Sequence, residues 1–469
     1  MDEVLAALVD DLRARQAAQV DRRQVVTFAP VLASATPRVN LYRELGATSQ
    51  LVVTFGDGTG ALPAEEDADV LRLEYPGEVR NATDELKAWQ QVVTSPPPQV
   101  LDALTRFDPS GEALVVIGVP VATPARIFGR ETINGRSFAD QALEDKTLCG
   151  DIFRAAGLDV AEEEVVPADP IQLQRSALRL DRGNGVVISA DASQGLNGGA
   201  SKVWWVRPGE DPAPVFDEVS KAGAQARLMP FLDGQPCSIH GFVTDNGVIA
   251  LRPVELCMLR RAGGPGFLQA GISTWWDPTD AARTQMREAA RRVGEVLGRD
   301  HNYRGAFGID GVLTRDGFRA HEINPRFSGG INTINKASGA VPLNLLDMAL
   351  RSRDHITLHV AAVEDVLVAE ADAHRYGSAY LTSASVRPTE STSVMVTGSS
   401  TQLSVARDEA SSVGTLELGP AAMGGLVRFT PTGFSPGERL TSWCLAIYRL
   451  ADELWDTGFG DLEAPPEYR

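Results

Sequence analysis

Cysteine is scarce: four residues in 469, Cys149, Cys237, Cys257 and Cys444, with no C-x-x-C spacing among them. That excludes a disulfide framework and a thiolate zinc site, and predicts buried free thiols in a reducing compartment. Of the six histidines only His355 and His359 stand at i, i+4, and no carboxylate pattern accompanies them. No run of 18 or more apolar residues predicts a membrane-spanning helix. The opening "MDEVLAALVDDLRARQ" reads as an acidic amphipathic helix, not a basic segment before an apolar one, so no signal peptide is expected and a cytoplasmic location is. Positive charge is also short, with Lys and Arg numbering 44 against 62 Asp and Glu, a net charge of −18. Such a chain has no general attraction for nucleic acid or for anionic membrane. An anionic ligand must be met by local cations or by backbone amides. A G-x-x-x-x-G-K-[ST] loop and a G-x-S-x-G elbow are both missing, and no internal repeat appears.

What remains is an ordinary globular composition, 43% apolar and 23% charged, long enough for about three domains. Up to about residue 140, "QLVVTFGDG" and "EALVVIGVP" read as buried strands, with a helix at "ATDELKAWQQVV" between them. This rhythm predicts a parallel α/β domain. A helix is expected from near Ser137 through "ADQALEDKTLCGDIFRAAG", with Gly157 just past its end. "GVVISA" and "VWWV" are strands flanking a glycine-rich loop, and "RLMPFLDGQPCSIHGFV" is two strands joined at Asp233-Gly234. "DPTDAARTQMREAARRVGEVLG" is an amphipathic helix capped by Asp277 or Thr279. From about residue 356 the chain reads as mostly β, with a helix at "ERLTSWCLAIYRLADELW".

The chemistry concentrates in "HEINPRFSGG". In a strand, alternate residues share a face, so Glu322, Asn324 and Arg326 project together. A three-residue loop at Arg315, Asp316 and Gly317 would set Asp310 opposite Glu322. Like charges so opposed are unfavourable unless a cation stands between them, and Mg²⁺ takes hard oxygens of this kind. A solvated polar strand face is the alternative. "GLNGGASK", residues 195–202, could fold over phosphates through its backbone N–H groups, or be a plain hairpin turn. Lys146, alone, reads as a solvated helix lysine. Arg252, Glu255, Arg260 and Arg261 follow the hinge strands and are either an acyl pocket or surface charge.

In this order the pieces resemble the ATP-grasp superfamily of carboxylate–amine ligases over roughly residues 140–352, and most closely the pheganomycin-type peptide ligases. The resemblance carries a fold: an N-terminal α/β pre-grasp domain (1–140), a two-lobed ATP-grasp core (141–355, a nucleotide lobe at 141–227 and a metal and substrate lobe at 228–355), and a β-rich C-terminal region (356–469). It also carries roles. ATP would lie against Lys146, under a flap containing Gly195, Gly198, Gly199, Ser201 and Lys202. The hinge Met229, Pro230, Phe231 and Leu232 would read adenine, with Asp233 or Gln235 near the ribose. Asp310, Glu322 and Asn324 would hold Mg²⁺, and Arg326 would stabilise the transferring phosphoryl group. Ser328, Gly329 and Gly330, with Glu255 and Arg260, would lie near the substrate. The activity implied is ATP-dependent formation of an amide between a small carboxylate and the amine of an amino acid or peptide, with a non-peptide acceptor or a nucleotide-binding protein without catalysis as the alternatives, and a homodimer as an option. Two departures stand out. Ser189 occupies the place of the family's second phosphate lysine, and Met229-Pro230 replaces a hinge glutamate. Lys202, at the end of the flap, is the candidate in the sequence to supply the missing charge.

Overall fold

Short apolar runs that are buried on both faces form the first of three sheets. The computed structural model describes residues 2–193, 195, 200–353 and 355–464. The first sheet has the order Asp69–Arg72, Ser49–Thr54, Gln24–Phe28, Leu114–Ile117, Arg130–Ile133, Arg126–Ile127. All neighbours but the last pair are parallel, as the strand–helix–strand rhythm requires. Gln24–Phe28, which the sequence reading passed over, is the central strand: it separates the two strands that reading identified. The helix Ala82–Thr94 lies where expected, its N-terminus capped by Asn81.

The second sheet is antiparallel, in the order Glu164–Pro167, Gln225–Pro230, Val186–Ala190, Val203–Val206. The helices Pro170–Leu180 and Ala213–Ala222 cover one face of it through Leu173, Leu180, Val215, Phe216 and Val219. The third sheet has twelve strands. Its path begins Gly317–Asn324, Gly305–Thr314, Gln235–Thr244, Val254–Arg261, Leu268–Ser273 and continues through Gly377–Ser383 into four strands of the C-terminal region. The long helix Asp280–Asp300, capped by Thr279, packs on it. So does the helix Thr441–Trp455. All four cysteines are free and buried. Among the described residues no helix is long and apolar enough to cross a membrane.

Two expectations change and one gains a partner sheet. The helix expected after Ser137 is two helices, Phe138–Ala142 and Cys149–Ala155. Between them the Asp145 carboxylate accepts from the N–H of Thr147 (2.9 Å) and from its hydroxyl (2.7 Å), a local turn that competes with helix. The strands Gln225–Pro230 and Gln235–Thr244 are joined at Asp233-Gly234 as expected, and each joins a different sheet, so residues 231–234 are a bridge between layers. Finally, Thr314 pairs with Gly317, leaving a two-residue turn, and the extra residue sits instead as a bulge around His321. Asp310 still pairs with Glu322.

Charge is buried in the first sheet as well. The Asp108 carboxylate accepts from the N–H of Ala113 (2.9 Å), Gly111 (3.0 Å) and Glu112 (3.2 Å), from Ser110 Oγ (2.8 Å), and from Arg130 Nε (2.7 Å). Burial would raise its pKa, but these bonds together hold it below the ordinary carboxylate value. A depressed native pKa adds stability above the unfolded pKa, about 4, which is lost as pH falls through the native value. Asp108→Asn is therefore expected to cost about 3–5 kcal/mol at neutral pH, the range for breaking a buried pair. The gap to wild type should close in acid. Urea denaturation across pH 3–7 measures both.

Candidate functional site

The second and third sheets face each other across a cleft of about 220 Å³. The geometry follows from strand alternation. On the second sheet Ser189 pairs with Arg227 and with Val203, and Val187 pairs with Met229. These five share one face and line the cleft. On the third sheet Ser238 pairs with Asp310, and Asp310 with Glu322. Asp310, Glu322, Asn324, Arg326, Ser328, Gly329 and Gly330 line the opposite wall, and Met229, Pro230, Phe231 and Leu232 close the end where the layers join. An apolar patch of Leu256, Met258 and Ile272 continues that wall away from the acids.

The polar side chains are tied into one network. Lys146, from the break between the two short helices, is buried and ion-paired to Glu322 Oε2. Asn324 Nδ2 donates to Asp310 Oδ2 (3.0 Å), while Arg326 Nη2 donates to Asn324 Oδ1 (3.0 Å). Arg326 Nε donates to Glu144 Oε1 (2.6 Å), and Arg136 grips the same carboxylate with two bonds (2.5 and 3.1 Å). Burial and the neighbouring Glu322 push the Asp310 carboxyl up. Burial pushes Glu322 the same way, but Lys146, with His321 and Arg227, holds its carboxyl below the usual range. Burial likewise works against ionised Glu144, which Arg326 and Arg136 hold below the usual range.

Two carboxylates and an amide oxygen beside them make a hard-oxygen set that fits Mg²⁺, with places left for phosphate and water. Among the described residues no three His, Cys, Asp or Glu side chains group at ligating distance. Gly330 is required by close approach: a Cβ there would fall 2.1 Å from His240 Cε1. His240 is buried, which pushes its pKa down to about 3, and its Nε2 lies 3.1 Å from Ser238 Oγ.

Other expected residues lie elsewhere. Glu255 does not line the cleft. Its carboxylate is fully buried on the far face and accepts from the N–H of Leu440 (2.8 Å) and Thr441 (3.3 Å), at the start of the helix Thr441–Trp455. Arg260 pairs with Glu463 and lies 5.2 Å over the Trp205 ring, outside this cleft. Arg252 is buried and held by Asp277 and Asp372, and Arg261 donates to the Phe459 carbonyl (2.7 Å). Asp233 accepts from Asn184 (2.6 Å), and the Gln235 amide donates to the Pro236 carbonyl (2.9 Å); neither lines the cleft. Gly195 has φ +93°. Ser201 bonds to Thr83 on the helix Ala82–Thr94. Lys202 Nζ is buried, and burial, with Lys87 nearby, pushes its pKa down. Gly198 and Gly199 lie outside the described residues.

The sequence reading did not single out Glu144, Arg136, Arg227 or His240. Glu144 stands two residues before Lys146, in a segment whose pattern reads as continuous helix. Arg227 carried a signal only in its strand's alternation with Met229.

No model of a known protein family matches the chain, and no curated protein matches its sequence. Solved structures do. The biotin carboxylase domain of 2-oxoglutarate carboxylase from Hydrogenobacter thermophilus, in complex with MgADP, aligns at TM-score 0.54 and 13% identity, covering 88% of this chain and 86% of that one. Biotin carboxylase from Campylobacter jejuni aligns at 0.53 and 12%, with 87% of each chain covered. An L-amino acid ligase from Bacillus licheniformis aligns at 0.50 and 14%, covering 92% and 98%. At these identities the likeness is one of fold, and the fold is that of the ATP-grasp proteins.

Glu255→Ala is expected to act on stability alone. It strands two buried N–H donors, at about 1–3 kcal/mol each. A lowered melting temperature with unchanged ligand affinity in the cleft checks this.

Proposed function

We propose that the chain is an ATP-dependent ligase that joins a carboxylate to an amine, with an amino-acid-like acyl donor and an amino acid or peptide as acceptor, giving an amide, ADP and phosphate. The observation that carries this reading is the convergence of Asp310, Glu322, Asn324 and Arg326 on one wall of a cleft whose end is closed by the bridge at residues 229–232. Proteins of the same fold crystallised with ADP, MgADP or an ATP analogue support it. So does the fold shared with an L-amino acid ligase.

A carboxylate resists amines because its oxygen is a poor leaving group. Phosphorylation by ATP makes an acyl-phosphate, which an amine attacks, forming the C–N bond and releasing phosphate. The protein's part is placement and charge. Asp310, Glu322 and Asn324 would hold Mg²⁺, whose chemistry is to neutralise and orient phosphate oxygens. Arg326, fixed by Glu144 and Asn324, presents a permanently charged fork to the transferring phosphoryl oxygens. Lys146 neutralises Glu322 and would add positive charge for a phosphate at that end.

A second reading, a nucleotide-binding protein without turnover, draws on Ser189, which gives the cleft a neutral group where the resemblance expects a lysine. A mass-spectrometric screen of carboxylates crossed with amines tests the two. ADP that appears only when both are present supports the ligase; nucleotide binding without ADP supports the second reading. Glu322→Gln is expected to abolish product in a folded protein, and near wild-type turnover at limiting Mg²⁺ would rule out its metal role. Arg326→Lys is expected to lower turnover more than ATP affinity, because the charge it meets develops in the transition state. A change confined to the KM for ATP would make Arg326 a binding residue.

A further inference from the structure

We propose that Arg227 is the cation that binds the nucleotide's phosphate chain from the second sheet, a role that rests on the ligase reading above. Arg227 lies directly across the strand pair from Ser189, so the two side chains share the face that lines the cleft. The other residues of that sheet on the lining are Val187, Ser189, Val203, Met229 and Pro230, with Ala200 just before the last strand. All are uncharged, so the guanidinium is the one charge this wall offers among the described residues.

It is also short of partners. Arg227 is 3% exposed. A guanidinium carries five N–H donors. Among the described residues its one hydrogen bond runs from Nη1 to the His321 carbonyl (2.7 Å). A carboxylate, Glu163, stands 3.8 Å away, and Nε is without a partner. The counter-charges of Arg227 are Glu163 and, nearby, Glu322, but a buried guanidinium with one hydrogen bond keeps donors that only a ligand would complete. The bond to His321 also fixes where it sits, since His321 is the bulged residue beside Glu322. The cleft thus opposes an acidic pair on one wall to a guanidinium on the other. A divalent cation bound to a polyphosphate presents both charges: metal toward the acids, phosphate oxygens toward a forked donor. A nucleoside di- or triphosphate with Mg²⁺ matches that polarity; adenosine does not use it. Lys202 is the rival cation, but its Nζ lies near Lys87, Asp145 and Asp191 rather than on the lining.

Calorimetric titration of Mg-ATP, Mg-ADP and adenosine into wild type, Arg227→Met, Lys202→Met and the double variant Arg227→Met/Ser189→Lys tests the assignment. Arg227→Met should weaken ATP and ADP by about tenfold or more, the loss of a charge-assisted hydrogen bond, and leave adenosine affinity in place. Moving the charge across the strand pair, with lysine at 189, should restore part of the loss. If Arg227→Met does not fold, Arg227→Lys replaces it, with a smaller loss expected for ADP and none for adenosine. An unchanged nucleotide affinity, an equal loss for adenosine, or a loss seen only in Lys202→Met would each overturn the proposal. Wild type that binds no nucleotide would instead overturn the ligase reading, and this proposal with it.

Discussion

Asp310 and Glu322 face each other across one strand pair, and like charges so placed repel unless a cation stands with them. Much around the cleft answers that constraint. The bulge around His321 brings the two residues into register; without it the two-residue turn would set Asp310 against His321. The interruption between Phe138–Ala142 and Cys149–Ala155 turns Lys146 toward Glu322. A continuous helix there would carry the lysine past the site. Asp145 enforces the interruption and also accepts from the N–H of Ala192 (3.1 Å), just past the strand Val186–Ala190. One turn therefore places a cation and anchors the second sheet.

Glu144 does for the arginines what Lys146 does for the acids. Its carboxylate is shared by Arg136, which follows the first sheet, and Arg326, which follows the last strand of the acidic wall. Burying an ion pair costs solvation that pairing offsets only in part, so such a network contributes position more than stability. The position is useful: a guanidinium held at two edges cannot swing away from oxyanions in front of it.

The C-terminal region belongs to the same construction. Gly377–Ser383 continues the third sheet from Leu268–Ser273 without a gap. Glu255, on the far face of that sheet, meets the start of the helix Thr441–Trp455, where helix-end N–H groups favour an anion. The Tyr448 hydroxyl donates to the Ala270 carbonyl (2.8 Å). The tail backs the sheet whose front carries the apolar patch of Leu256, Met258 and Ile272, and it fixes which way that strand's residues alternate.

Local patterns were legible in the sequence. Alternation put Glu322, Asn324 and Arg326 on one face, because side-chain period in a strand is a property of the backbone alone. The strands Val186–Ala190 and Val203–Val206 and the helix Asp280–Asp300, with its cap narrowed to Asp277 or Thr279, were legible for the same reason: apolar period and capping chemistry act within a few residues. What needed the tertiary structure was every pairing over long separation. That Gln24–Phe28 lies between two other strands, that Lys146 meets Glu322, that Glu144 joins two arginines, and that Arg227 stands across from Ser189 depends on which segments fold against each other. Glu255 shows the limit most plainly. A glutamate in a strand after the hinge looks the same in sequence whether it faces a ligand or a helix end. One residue of register decides which face it takes, and that register is set by neighbouring strands, by a bulge between Cys257 and Met258, and by a helix almost two hundred residues further along the chain.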